Sequence, residues 1–272
     1  MIKQTLRSLV KHFIPTFYWK RIIRKYRNPK GDFEVKLLHL LCEKEKISLD
    51  IGAAGGLYIV HMAKYSSKVI AFEPIPSVAG NIQSMVNVLK EDVTINYVAL
   101  SDKSGVAELR MLENDFGRST IEKSNVLEET ISGKLITIKV PVHTLDEYDL
   151  SNVGCIKIDV EGHELAVLKG ASETIRKNMP SFIIETENRH KENAVQLTTD
   201  FIKGFGYDCF FICEGELHPF ALFNDKTHQC PKNVGDLSNH YQMRGIYINN
   251  FVFVPTLKAA AFLESASKLS FN

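Results

Sequence analysis

Residues 156–161 read Ile-Lys-Ile-Asp-Val-Glu, and the next apolar run, 182–184, ends in Glu185. In an extended chain Ile156, Ile158 and Val160 share one face while Lys157, Asp159 and Glu161 share the other. A buried central strand should be almost wholly apolar, so three consecutive ionisable groups on one face call for a chemical reason. The preferred reading puts Lys157 beneath a pocket, neutralising a carboxylate, with Asp159 and Glu161 projecting at the strand's carboxyl end; the alternative is a solvated edge strand. Neighbouring strand tips then bring Asp159, Glu161 and Glu185 together. Such carboxylates either raise one another's pKa and provide a general base, or hold a hard divalent cation such as Mg that activates a hydroxyl. His163 is a second candidate base or, the reading favoured here, an exposed first-turn residue of the following helix.

A second constellation lies upstream. An apolar run ends in Asp50, the turn Gly52-Ala53-Ala54-Gly55-Gly56 follows, and a second run, 68–72, ends at Glu73. Gly52 and Gly56 allow tight turning and close backbone approach, Asp50 accepts from turn amides or a ligand amine, and Glu73 accepts two ribose hydroxyls. The turn is not G-x-G-x-x-G, and an acid two positions before its first glycine opposes a pyrophosphate, which disfavours a nicotinamide-dependent oxidoreductase. That acid suits a ligand with a cationic end, such as S-adenosylmethionine.

Both constellations need a parallel sheet to hold them. Strands at 47–53, 68–72 and 93–100 alternate with helices at 57–65 and 77–89, and the pattern resumes with strands at 155–160 and 181–185 and helices at 163–177 and 193–204. Repeated βα units of this length predict a mostly parallel sheet with helices on both faces. Between them, 105–148 reads as a β-rich insertion at the ligand end, with strands at 106–111 and 135–142 separated by the turn residues 114–117. Strands at 207–213 and 245–254 close the chain around a polar loop, 214–244, that suits a substrate wall.

With 272 residues, 44% of them hydrophobic, the chain can bury one sizeable core. We expect an N-terminal helical appendage, 1–45, and one main domain, 46–272. The net charge of +1 hides an asymmetry, since residues 1–30 hold nine Lys/Arg and no acid. Ile2, Leu6, Leu9, Val10 and Phe13 form a helical stripe with Lys3, Arg7 and Lys11 beside it, and a second aromatic, basic stretch follows Pro15. It reads as a peripheral anchor on anionic lipid, as a basic lid over an anionic substrate or, somewhat favoured, as a helical cap packed on the main domain. Five thinly spread cysteines fit a reducing cytoplasm. The spacings of Cys209, Cys213, His218, His228, Cys230 and His240 match no closed zinc site, so the two strand cysteines read as small core residues.

Taken together, these motifs resemble the FkbM-type S-adenosylmethionine-dependent methyltransferases. The resemblance runs in order through DIGAAGG at 50–56, AFEPIP at 71–76, Asn87, VALSDKSG at 98–105, the 117–120 segment, VHTLDEY at 142–148, IKIDVEGHELAVLKGA at 156–171, Pro180 with IIE at 183–185, and NFVFVP at 250–255. It implies the class I methyltransferase (Rossmann-like) fold, a seven-stranded sheet whose last strand is antiparallel. By that resemblance Asp50, Gly52, Ala53, Gly56 and Glu73 bind the cofactor, and Ser101 and Asp102 lie near its adenine. Ala54 and Ile75 stand where the family often has Asn. The implied reaction is methyl transfer to a hydroxyl, with Asp159 and Glu161 at the reaction centre, Glu185 assisting and Lys157 in support. The acceptor class implied is a sugar in a glycan or glycolipid, or else a secondary metabolite. Nucleic acid is not an expected partner, and a non-catalytic cofactor-binding module is the rival reading.

Overall fold

The computed structural model describes residues 11, 13–28, 33–127, 133–234 and 245–271. Its main sheet has eight strands, β1 (Ile47–Ile51), β2 (Lys68–Phe72), β3 (Val93–Asn96), β8 (Val153–Ile158), β9 (Ser181–Glu185), β10 (Tyr207–Cys213), β11 (Glu216–Pro219) and β12 (Asn250–Pro255). The spatial order is β11-β10-β12-β9-β8-β1-β2-β3. The chain runs outward from β1 through β2 to β3, then crosses back to lay β8 on the other side of β1, with all of these pairings parallel. The order therefore reverses between β1 and β8, and the crevice at the carboxyl ends of such a pair is where open α/β sheets take ligands. β12 is antiparallel to both β9 and β10.

This is the class I methyltransferase arrangement with one strand more than the implied seven. The extra strand, β11, arises because Glu214 and Gly215 adopt φ of 50° and 82° and fold β10 back on itself as a two-residue hairpin. The strand expected over 93–100 is also two pieces. β3 pairs with β2, whereas β4 (Ala99–Leu100) leaves the main sheet and pairs with β7 (Leu135–His143) in a second sheet of order β4-β7-β5-β6. β5 (Gly105–Leu112) and β7 are the two strands expected in the insertion, and β6 (Asp115–Thr120) forms where sequence showed only turn residues. The helix expected over 163–177 breaks into Glu164–Lys169 and Ser172–Asn178. Gly170 at that break leaves room for a loop, since a Cβ there would sit 2.0 Å from the carbonyl oxygen of Ser101.

Two apolar layers sandwich the sheet. On one side Ile59 and Met62 of the helix Leu57–Tyr65 and Ile82 and Met85 of the helix Pro76–Leu89 pack on Val69 and Ala71. On the other, Val167, Ile175 and Val195 pack on Leu49, Ile156 and Phe182. All six residues of β8 are buried, so Lys157 stands in a central strand and not at a solvated edge. The helix Pro15–Tyr26 buries Trp19 and Ile23 against the helix Pro76–Leu89, and Leu37 and Leu38 belong to the first layer. The stripe residues Ile2, Leu6, Leu9 and Val10 lie outside the described residues, as does His240. No helix among the described residues is long and apolar enough to cross a membrane.

Candidate active site

At the tip of β1 the backbone does most of the holding. The amides of Gly52 and Ala53 donate to the carbonyl of Phe72 at 3.0 and 3.3 Å, and that of Gly56 donates to the carbonyl of Ala53 at 2.8 Å, lacing the turn to β2. Gly52 has φ of 79°, and a Cβ on it would fall 1.8 Å from the carbonyl oxygen of Asp159. Only glycine permits that approach of the two strand tips. Gly56, with φ of 78°, caps the following helix where Met85 leaves no space for a side chain. Ala54 takes φ of 42°, a left-handed conformation that costs an L residue free energy. Its amide thereby donates to Oε2 of Glu73 at 3.0 Å, and the Ile75 amide donates to Oε1 at 2.9 Å. Burial pushes the Glu73 carboxyl up from the usual range, and these two amides oppose the rise. Asp50 is buried beneath the turn. Desolvation raises its pKa to about 7 against the pull of Lys157, and its Oδ2 has no hydrogen-bond partner among the described residues.

Side chains do the holding at the tips of β8 and β9. The ammonium of Lys157, 1% exposed, lies 3.9 Å from Oδ2 of Asp159 and 3.8 Å from Oε2 of Glu185. It donates to Oδ1 of Asn250 at 3.3 Å and sits 5.0 Å from the ring centre of Tyr58. One buried cation thus faces several carboxylates. Desolvation, opposed by Lys157, raises Asp159 to about 6; desolvation and then Asp159 raise Glu185 to about 8. Asp159 keeps 32% of its side chain open. Glu185 is fixed from the other side, accepting from Nδ2 of Asn249 at 2.6 Å.

Glu161 departs from the simple alternation. The strand stops at Ile158, and φ of 53° at Glu161 and 101° at Gly162 turn the chain sharply. Its carbonyl accepts from Thr120 and Asn125, both at 2.8 Å, and its Oε2 lies 3.1 Å from Nε2 of His190. Burial pushes the Glu161 carboxyl well up and pulls His190 down to about 4. His163 is not the exposed helix residue expected. Its Nε2 is 2.8 Å from Oγ of Ser101 and its Nδ1 3.4 Å from Oε2 of Glu122.

At the tips of β1, β2 and β8 lies a cleft; Glu185 at the tip of β9 and Lys157 stand beside it and do not line it. Ile75, Val98 and Leu100 give it an apolar wall; Glu73 and Asp159 both line it, and Phe116, Gly117 and Thr120 of β6 enclose it further. Ala99 and Leu100 line the cleft, whereas Ser101 reaches it through His163 and Asp102 is exposed. A nucleoside with a cationic end suits the chemistry of this place: an apolar slot for a base, the Glu73 carboxyl, and the buried acid of Asp50 below the turn. A divalent cation does not. Among the described residues no three His, Cys, Asp or Glu side chains are grouped to hold a metal, and Lys157 already occupies the space between Asp159 and Glu185. Cys209 and Cys213 are buried in β10, and His218 and His228 lie against the ring of Phe211.

Several contributors were not singled out from sequence. Glu187 is held by Arg189 at 2.5 and 2.7 Å and by the hydroxyl of Tyr247; Lys191 reaches Glu122 at 3.1 Å; Asn249 and Asn250 come from the amino end of β12. The charged run from Glu185 to His190, directly after an apolar strand, carried a readable signal. Glu122, in the insertion, carried none.

A family model described as the methyltransferase FkbM domain matches residues 50–209, more than half of the chain. Methyltransferase 1 of Beauveria bassiana (strain ARSEF 2860) is 23% identical over 210 residues, covering 66% of this chain and 84% of that protein. Among solved structures, a methyltransferase FkbM from Methylobacillus flagellatus KT superposes with a TM-score of 0.45 at 14% identity; it covers 90% of this chain, which spans only 60% of that one. A Streptococcus mutans protein described as a methyltransferase, solved in complex with SAH, gives a TM-score of 0.47 at 10% identity over 82% of this chain and 96% of that one. The family match begins at Asp50 and runs through the tips of β1, β2, β8 and β9, and the chain accordingly belongs to the FkbM methyltransferase domain family, a family of S-adenosylmethionine-dependent methyltransferases.

Proposed function

We propose that this chain transfers a methyl group from S-adenosylmethionine to a hydroxyl oxygen of a sugar in a glycan or glycolipid, with Asp159 as the general base. The observation that carries this reading is the place of Asp159. Its carbonyl abuts Gly52 of the glycine turn, the residue lines the cleft with 32% of its side chain exposed, and the Lys157 ammonium lies 3.9 Å from its carboxylate. A base with a pKa near 6 is ionised at neutral pH yet basic enough to take a proton from an alcohol as the oxygen attacks.

When bound, the cofactor supplies an electrophilic methyl group on a sulfonium. Glu73 would hold its nucleoside end and Asp50, beneath the glycine turn, would face its cationic end. With an acceptor hydroxyl held beside that methyl group, Asp159 would take the hydroxyl proton. Placement supplies most of the rate, because a held oxygen loses its encounter entropy before the reaction. Lys157 keeps Asp159 and Glu185 in register, and Glu185 with Asn249 offers hydrogen bonds of the kind a polyhydroxyl acceptor needs. Glu161, whose carbonyl accepts from Thr120 and Asn125, is assigned the shape of the turn.

Calorimetric titration with S-adenosylhomocysteine followed by transfer of labelled methyl to a panel of sugars, glycolipids and hydroxylated metabolites tests the proposal. Label on a sugar oxygen supports it. Label on a metabolite hydroxyl keeps the mechanism and replaces the acceptor, whereas cofactor binding with no transfer to any hydroxyl removes the O-methyl reading.

A further inference from the structure

The helix Pro15–Tyr26 has two unlike faces. Trp19 and Ile23 are buried against the domain, and Tyr18, Ile22 and Tyr26 are half-buried beside them. The outward face carries Lys20, Arg21, Arg24 and Lys25, followed by Arg27, all exposed. None of these five makes an ion pair among the described residues, and the chain has no acid before Asp32. A packed helical cap needs no such outer face, since uncompensated like charges one turn apart repel. At the amino end of the same helix Ile14 is 56% and Phe17 59% exposed. Exposed apolar side chains next to clustered bases are the composition of a helix lying in a membrane interface.

We infer that this helix docks the enzyme on an anionic lipid surface, its bases against the headgroups and Ile14 and Phe17 entering the interface. A polyanionic nucleic acid would match the charge and leave the two apolar side chains unused, which decides between the partners. The position of the helix gives the contact a consequence. Its inner face, through Trp19 and Tyr26, lines a second cleft with Asn81, and that cleft reaches Ala54, Phe116 and Gly117, which also line the cofactor cleft. An enzyme seated on this helix therefore opens next to the bilayer, where a lipid-linked acceptor resides. Only that last step rests on the glycolipid reading above; lipid binding itself does not.

The full chain, without cofactor or acceptor, is sedimented with vesicles of neutral phosphatidylcholine and with vesicles containing phosphatidylglycerol, at low and high salt. The expected result is binding to the anionic vesicles alone, weakened by salt. The combined variant K20Q/R21Q/R24Q/K25Q should bind them at least roughly a hundredfold more weakly, and Phe17→Ser several-fold more weakly, both with unaltered affinity for S-adenosylhomocysteine. Absence of vesicle binding by the full chain, equal binding to neutral vesicles, equal binding by the fourfold variant, or binding to RNA in place of vesicles would each overturn the inference. Because cofactor affinity is measured separately, failure here and failure of the methyl-transfer reading are distinguishable.

Discussion

The two halves of the strand-tip region are built on different principles. At the tips of β1 and β2 the chain holds itself: Glu73 is fixed by two amides, the glycine turn by carbonyls of β2, and every partner lies within a few residues of a motif. At the tips of β8 and β9 the ionisable groups are fixed by side chains from remote segments, such as His190, Asn249 and Asn250. Backbone-built sites tolerate change in neighbouring side chains because the donors are part of every residue. A side-chain network does not, because removing one member leaves a buried charge unpaired. The first half is therefore the more tolerant of side-chain replacement, and the second the less.

The largest effect expected from breaking this contrast is on turnover. Asp159→Asn should lower kcat by roughly 10²- to 10⁴-fold while leaving affinity for S-adenosylhomocysteine within about threefold, read by single-turnover kinetics and calorimetry. Similar losses in both would merge the two halves into one site. Gly52→Ala strikes where they touch. A Cβ against the Asp159 carbonyl, on a left-handed residue, should cost roughly 3 kcal/mol or more in denaturant unfolding and impair cofactor binding with it. Glu73→Gln should weaken cofactor binding by about 1–3 kcal/mol and leave the rate at saturating cofactor nearly unchanged; a fall in saturated rate would show that Glu73 serves the chemistry.

The pH dependence of stability sharpens the comparison further. Asp159 and Glu185 have folded pKa values of about 6 and about 8, and Asp50 one of about 7, all above their unfolded values. The folded state keeps these protons when the unfolded chain has released them, so the resulting stabilisation is full below pH 4 and is lost as pH rises toward 8. Glu122 runs the other way. Despite partial burial, hydrogen bonds from Ser124 and Lys191 draw it down to about 2, and its contribution vanishes as pH falls from 4.5 through 2. Thermal melts of the cofactor-free enzyme at constant ionic strength should thus show a higher Tm near pH 5.5 than near pH 8.5; a flat profile would mean that Lys157 fully compensates the cluster. The smallest effect concerns the turn alone. Ala54→Gly relieves a left-handed alanine and should stabilise the fold by about 0.5–1 kcal/mol without changing kcat, a shift visible in the denaturation midpoint.

Legibility followed the same division. The alternation of strands and helices, Asp50, the glycine turn and Glu73 could all be read directly, because each depends on periodicity or on contacts close in sequence. The face that Lys157 and Asp159 share was also readable from a two-residue period. Glu161 broke that period through its left-handed backbone, and no local signal in the sequence announces a non-glycine residue with positive φ before a glycine. His163 was misjudged because its partners, Ser101 and Glu122, are 62 and 41 residues away. The same holds for β6 and β11, short strands whose existence depends on an edge to pair with and not on their own propensity.

By itself, then, the sequence determined the alternating architecture, the motif residues at four strand tips and the basic amino-terminal segment, because burial period, turn chemistry and charge are local properties. Tertiary structure alone decided that β1 and β8 are neighbours, that the Gly52 backbone meets the Asp159 carbonyl, and that one buried lysine is shared by two acids. Those outcomes depend on which surfaces exclude water together, and a linear pattern of residues does not contain that information.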